Sequence, residues 1–276
     1  MGAYLDRHSR RTMIGKLWRI LDREPTGAMR RITDQAARLT VSRVQRIPRI
    51  IIQTFKMREV PRALYGATRS WLEQNPEYDY KFYDDDDCRC LLAVHFGENV
   101  LQCYDALGAG AFRADLWRYC ALYIHGGVYA DADTVCRRPL NKLIGEGDEF
   151  VVPFAVNRAH LFNAFICCIP GHPFLKNTIE RAVERISRND FADPFKVVGP
   201  GGLGAAVNLA LARDSNTRFK TGTHSLNGHS FRILRKVHTP WSSGRRVLDG
   251  LETVLMCKYG SYDADLEAAG VRHWAR

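Results

Sequence analysis

Between residues 47 and 140 the hydrophobic positions switch repeatedly between a strand rhythm and a helical one. Ile47-Pro48-Arg49-Ile50-Ile51-Ile52-Gln53-Thr54-Phe55 is short, β-branched and almost continuously apolar, the pattern of a strand buried on both faces of a parallel sheet. The spacing from about Pro61 to Gln74 predicts a helix stopped by Asn75-Pro76, and Tyr78 to Tyr83 alternates as a second strand, so a βαβ unit results. Asp84 to Asp87 stand before an apolar helical stretch, Cys88 to Phe96. Carboxylates at the positive end of a helix stabilise its first turn, so these four aspartates read as a capping group rather than a metal site. A further helix over about Ala109 to His125 buries Phe112, Leu116, Tyr119, Cys120 and Tyr123 and ends at Gly126-Gly127. The very short strand Val128-Tyr129-Ala130 then leads straight into Asp131-Ala132-Asp133. Two carboxylates are thereby expected at the carboxyl end of a strand, where open α/β sheets bind ligands.

After residue 140 the alternation is less clear and reads as mixed strands and helices closing the same domain. The expected fold is therefore α/β: a single mixed, mostly parallel sheet flanked by helices over residues 47–276, preceded by a separate basic extension, residues 1–46. Charge supports that division. The chain carries a formal +10, and residues 1–46 hold eleven Lys/Arg against four Asp/Glu, which is +7 of it. Within the extension Ile14, Leu17, Trp18 and Leu21 fall at helical spacing before a Pro25-Thr26-Gly27 break, forming a short basic amphipathic helix. Such a helix either packs on its own domain or lies on an anionic membrane surface. The longest apolar run, Ala159 to Ile169, is interrupted by His160 and Asn163 and is too short to cross a bilayer. With no signal peptide visible, the expectation is a cytoplasmic protein or a peripheral one touching a membrane through residues 1–46. Eight cysteines lack paired CxxC spacing, so they read as small buried hydrophobes rather than a zinc site. No nucleic-acid motif is present, and no nucleic-acid partner is expected.

The candidate chemistry centres on the Asp-x-Asp triplet. Two carboxylates one residue apart can bring one oxygen to a divalent cation and another to a metal-bound water or a ribose hydroxyl, and hard oxygen ligands suit Mn²⁺ or Mg²⁺. Such an ion neutralises the charge left on a departing diphosphate. One helix earlier, Asp115 and Arg118 lie three residues apart; together they either grip sugar hydroxyls or form an intrahelical ion pair. Gly199-Pro200-Gly201-Gly202-Leu203-Gly204, before the helical Ala205 to Ala212, is a glycine-rich turn that either faces phosphate or only needs glycine torsions. Its Pro and the lack of an acidic residue some twenty positions later make it a poor dinucleotide motif. His273, beside Trp274, either completes a metal shell or is structural. Two other readings compete. Asp131-Ala132-Asp133-Thr134-Val135 also fits the nucleophile motif of haloacid-dehalogenase-type phosphatases, although Gly147-Asp148 lacks the second acid that chemistry needs. The basic extension also admits a catalytically inactive protein that binds anionic surfaces.

The stretch from Ile47 to Leu140 resembles glycosyltransferase family 32, which includes fungal initiating α-1,6-mannosyltransferases and sphingolipid mannosyltransferases. The resemblance rests on Ile47 to Phe55, Ser70-Trp71, Asn75-Pro76, Tyr80-Lys81-Phe82-Tyr83-Asp84-Asp85, and above all Phe112-Arg113-Ala114-Asp115-Leu116-Trp117-Arg118-Tyr119. That block continues through Leu122-Tyr123, Gly126-Gly127-Val128-Tyr129 and Asp131-Ala132-Asp133-Thr134. The resemblance implies a GT-A fold, a divalent metal, and transfer of a hexose, with retention of configuration, from a UDP- or GDP-linked sugar to a hydroxyl of a glycan or glycolipid. It implies that Asp115, Arg118 and Asp131 meet the donor sugar. Gln53, Thr54, Phe55, Tyr129 and Gly201 would meet the nucleotide. Asp133, Asp131 and His273 would serve the metal, with Asp133 its direct ligand and Asp131 acting through water or the ribose. Two first-strand positions depart from the family's His-Gln-Thr-Trp: Ile52 replaces the histidine, and Phe55 replaces the tryptophan while keeping a ring for the base.

Overall fold

The computed structural model describes residues 29–40, 44–239 and 244–258, with Tyr262, Ala264 and Glu267. The amphipathic segment at residues 14–21 and the His273-Trp274 pair lie outside the described residues.

The first half of the domain is built as the hydrophobic rhythm requires. Strand β1 (Met29–Arg31) pairs antiparallel with β3 (Glu59–Pro61) in a small ribbon. Strand β2 (Ile50–Thr54) is central, parallel both to β4 (Asp79–Tyr83) and to β5 (Gly127–Ala130). Helix α1 (Arg62–Gln74) makes the first crossover, and α2 (Asp85–His95), α3 (Glu98–Ala106) and α4 (Gly110–His125) make the second. The aspartate run caps α2 as expected: the Asp84 carboxylate accepts from the Asp87 backbone N–H and the Asp87 carboxylate accepts from that of Asp84. Arg58 clamps the same corner through Asp87 and Asp34. Residues 29–40, on the basic side of the expected boundary, form a strap against this half. Ile32 is buried, Gln35 exchanges backbone hydrogen bonds with Tyr80, and the Arg38 and Leu39 amides donate to the Pro76 carbonyl.

The second half corrects the expectation of a mostly parallel sheet. It contributes β6 (Val135–Cys136), β7 (Phe150–Phe154), β8 (Phe165–Cys168), α5 (Pro173–Ser187), α6 (Pro200–Ala210), β9 (Gly222–Leu226), β10 (His229–Thr239), β11 (Gly244–Asp249) and β12 (Glu252–Met256). The strands join one ten-stranded sheet in the order β4-β2-β5-β8-β7-β10-β11-β12-β6, with β9 added on β10. Among the described residues only β2–β4, β2–β5 and β7–β10 are parallel; the other pairings are antiparallel. Connection length explains the difference. Parallel pairing needs a crossover long enough for a helix, which is supplied before β4, before β5 and, through α5 and α6, before β10. The last strands are joined by tight turns: Asn227-Gly228, both with positive φ, closes the β9–β10 hairpin, and Gly250 sits between β11 and β12. The glycine-rich stretch also differs from a turn before a helix, because α6 already starts at Pro200 and contains Gly201, Gly202 and Gly204. A Cβ on Gly204 would lie 2.1 Å from the Ala159 carbonyl oxygen and one on Gly202 2.1 Å from that of Val197, so these two glycines let the β7–β8 connection and the segment before the helix rest directly on it.

The sheet separates two apolar layers. One gathers Leu116, Trp117, Phe150, Phe174, Leu203 and their neighbours under α2–α6; the other gathers Trp71, Tyr78, Phe165 and Leu140 around α1. Each fully buried large apolar side chain contributes about 1.5–3 kcal/mol. Seven of the eight cysteines are buried in these layers and none is paired, matching their reading as small hydrophobes. Among the described residues no helix is long and apolar enough to cross a membrane.

At the junction of α4 and β5, Gly126 and Gly127 have φ of 61° and 92°, and a Cβ on Gly127 would lie 2.5 Å from the Ile50 carbonyl oxygen. The strand that carries the acidic motif is thus seated against β2 through a position only glycine fills comfortably. Gly127→Ala is expected to cost at least about 2 kcal/mol in urea unfolding. Gly147→Ala, where a Cβ meets nothing within 4 Å, is the matched control and should stay within about 0.5 kcal/mol.

Candidate functional site

The site forms where α4, β5 and the β7–β8 connection meet. Asp115 and Arg118 lie on the buried face of α4, one turn apart, with only 12% and 5% of their side chains exposed. Arg118 donates from Nη2 to Asp115 Oδ1 at 2.9 Å, and its Nη1 lies 3.2 Å from Asp131 Oδ1. Nη1 also donates to the Asn163 carbonyl, Nε donates to the Ala114 carbonyl, and the guanidinium lies over the Tyr129 ring at 4.6 Å. The pair is therefore an intrahelical ion pair and something more: the helix and the motif loop share one buried cation. Asp131 accepts a second bond on the same oxygen from the Tyr129 hydroxyl at 2.8 Å. Its Oδ2 has no partner among the described residues.

The loop is held independently through its backbone. Gln53 is fully buried on β2, and its Nε2 lies 3.2 Å from both the Ala130 and the Asp131 carbonyls, while its Oε1 accepts from Tyr80. The Asp131 amide donates to the Ala164 carbonyl, and the Thr134 amide and hydroxyl return to the Asp131 carbonyl. Trp71 Nε1 donates to the Thr134 carbonyl from the opposite layer. Gln53 accordingly positions the motif. Thr54 is also engaged, donating to the Tyr83 carbonyl, whereas Phe55 stays half-buried at the strand end.

Asn163 is the residue that sequence patterns missed. Its Nδ2 lies 2.9 Å from Asp115 Oδ1 and 2.8 Å from the Tyr119 hydroxyl, which donates to the Val198 carbonyl just before α6. Its one visible signal was the break it makes in the apolar run Ala159 to Ile169. Through Tyr119 the acidic site touches the entrance of the glycine-rich helix, whose Gly201 is buried three residues after Val198.

Electrostatically the cluster is short of positive charge. Burial, reinforced by Asp131, pushes the Asp115 carboxyl up to about 7 against the pull of Arg118. Burial and then Asp131 push Asp133 up to about 8, although Asp133 keeps part of its surface open to solvent. Arg118 is held firmly protonated: burial opposes its charge, but Asp131, Tyr129 and Asp115 outweigh it. Asp133 has no ion-pair partner among the described residues, and no group of three or more metal-ligating side chains occurs among them. The described chain therefore offers two carboxylates, one of which has a free oxygen, while the expected third ligand His273 falls outside the described residues. This oxygen-only, charge-deficient pair fits a hard divalent cation that keeps most positions for other ligands. It suits the phosphatase reading poorly, since that chemistry needs a second acidic motif that Gly147-Asp148 does not complete.

A sheet that delivers an Asp-x-Asp pair to the carboxyl edge of a parallel strand, gripped from the preceding helix, defines a GT-A-type glycosyltransferase fold. Residues 61–150 match the family described as glycosyltransferase sugar-binding region containing DXD motif. Among curated proteins, inositol phosphoceramide mannosyltransferase 3 of Schizosaccharomyces pombe is 34% identical over 136 residues, covering 48% of this chain and 36% of that protein. The initiation-specific alpha-1,6-mannosyltransferase of Candida albicans is 28% identical over 107 residues, covering 37% and 28%. The chain thus spans little more than a third of the length of the curated relatives it matches first. Among solved structures, PaToxG glycosyltransferase superposes with a TM-score of 0.50 at 17% identity, covering 61% of this chain and 71% of that one, a likeness of fold.

Removing the shared cation tests the site's architecture. Arg118→Leu is expected to cost about 3–5 kcal/mol at pH 8, because it strands buried carboxylates. The loss should shrink as pH falls toward 5. Without Arg118 the Asp115 carboxyl titrates higher still, so the folded variant binds a proton that the unfolded chain releases, and its stability declines as pH rises. Denaturant midpoints of wild type and variant at pH 5, 6.5 and 8 read this directly.

Proposed function

We propose that the protein is a metal-dependent retaining hexosyltransferase that moves a sugar from a UDP- or GDP-linked donor to a hydroxyl of a glycan or glycolipid. The observation that carries this reading is the Asp131–Asp133 pair at the sheet's carboxyl edge. Asp133 makes no ion pair among the described residues, with Lys258 and Arg118 acting on it only through their charge, and Asp131 is oriented by Arg118 and Tyr129 so that its second oxygen stays free. The DXD region and the mannosyltransferase relatives support it.

In this reading Asp133 binds Mn²⁺ or Mg²⁺ directly, Asp131 acts through water or the ribose, and His273 is a further ligand. The ion neutralises charge on the diphosphate when bound. Asp115 and Arg118 present acceptor and donor atoms side by side, which suits adjacent sugar hydroxyls. Phe55 supplies a ring at the end of β2 for the base, with Gln53 and Thr54 fixing the strand beneath it. Tyr129 orients Asp131, and Gly201 lies in the first turn of the helix that follows the Val198 carbonyl reached by Tyr119. The acceptor oxygen bonds to the anomeric carbon on the face the phosphate leaves. The electron pair of the sugar–phosphate bond stays with the departing phosphate oxygen, which also takes the acceptor's proton. Contact with a membrane surface through residues 1–46 would suit a glycolipid acceptor.

A panel of UDP- and GDP-sugars with Mn²⁺ or Mg²⁺, read as nucleotide release, tests the assignment. One donor class should turn over, chelation should stop it, and Asp133→Ala should lower the rate by at least about a hundredfold. Normal turnover by Asp133→Ala would remove the metal role given to that residue. Because burial and Asp131 raise the Asp133 carboxyl to about 8, Mn²⁺ must displace a proton at pH 7. Calorimetric heats of Mn²⁺ binding should then vary with the buffer's ionisation enthalpy.

A further inference from the structure

Strand β10 runs parallel to β7 and outlasts it: the final register pair is Arg235 with Phe154, so Lys236 is the first residue beyond. β7 and β5 point the same way across the intervening antiparallel β8. Lys236 therefore stands at the same carboxyl edge as the acidic motif. Its ammonium lies 3.5 Å above the Phe162 ring centroid, one residue before the Asn163 clamp. It has no ion pair or hydrogen bond to a carboxylate among the described residues, yet its charge reaches both Asp131 and Asp133. Burial, with Arg245 nearby, pulls its pKa down, so this cation gains from an arriving anion.

Charge balance says which anion. Asp115, Asp131 and Asp133 in their ionised forms carry three negative charges and Arg118 returns one positive. A divalent cation brings those four side chains to neutrality, and a diphosphate then adds two negative charges, of which Lys258, whose charge is felt at Asp133 from its place over the Tyr262 ring, offsets one at most. Breaking the sugar–phosphate bond adds a third. A half-buried ammonium on the face of an aromatic ring, free of carboxylates, is a suitable counter-ion.

Resting on the transferase reading above, we infer that Lys236 is the protein's own diphosphate-binding cation, meeting the donor's phosphates and the departing nucleoside diphosphate where β10 overhangs the acidic motif. Phe162 holds the ammonium in place, so the residue is presented before the nucleotide arrives.

Binding of UDP, GDP, the corresponding nucleosides and inorganic pyrophosphate to the full chain in Mn²⁺ tests this, using wild type, Lys236→Met and Lys236→Arg. Lys236→Met keeps the apolar stem and should retain the wild-type melting temperature. It should weaken the preferred nucleoside diphosphate and pyrophosphate by roughly ten- to a hundredfold, leave the nucleoside unchanged, and Arg should recover most of the loss. Wild-type diphosphate affinity in a folded Lys236→Met would overturn the role of Lys236 while leaving the transferase reading intact. Wild type that binds neither UDP nor GDP would instead overturn that reading, and this inference with it.

Discussion

Arg118 sits with one-twentieth of its side chain exposed between two carboxylates that belong to different elements. A buried guanidinium is costly unless every side of it is answered, and here helix carbonyl, loop carbonyl, two carboxylates and an aromatic face answer it. The consequence is geometric. Helix α4, the end of β5 and the β7–β8 connection cannot shift separately without leaving a buried charge unpaired. The motif's two acids are thus held differently: Asp131 is fixed by Arg118 and Tyr129, and Asp133 makes no such side-chain bond among the described residues.

Much of this was legible in the amino-acid order. The β2, α1, β4 and α4 elements fell where periodicity placed them, because each buries a continuous face and carries its own stop, Asn75-Pro76 or Gly126-Gly127. The aspartate run was readable as a cap because capping depends on four consecutive residues. Asp115, Arg118 and the Asp-x-Asp pair were visible as candidates since three- and two-residue spacings fix which side of an element they share. Their mutual contact was not visible, being a product of how α4 lies on the sheet.

What could not be read depended on distant partners or on connection type. Asn163 looked like an interruption of an apolar run, since nothing local shows that its amide reaches Asp115 forty-eight positions back. Gln53 looked like a ligand residue, yet its carboxamide is turned inward onto the motif's carbonyls. The sheet's antiparallel half had a local signal in Asn227-Gly228, the residue pair that favours a two-residue hairpin, and weighing it would have corrected the expected strand direction. The glycines of α6 read as a turn because glycine usually marks one. Here they let one backbone lie against another.

The strap formed by residues 29–40 gains significance from the line of hydrogen bonds beneath it. Gln35 is bridged to Tyr80 through the main chain, Tyr80 donates to Gln53, and Gln53 holds the two carbonyls that open the acidic motif. A segment outside the blocks that carry the family resemblance is therefore joined by hydrogen bonds to the carbonyls of the acidic motif. Trimming the chain back to the first long strand would remove the near end of that tether, and the looseness would surface at Asp131, on the far side of the parallel strands.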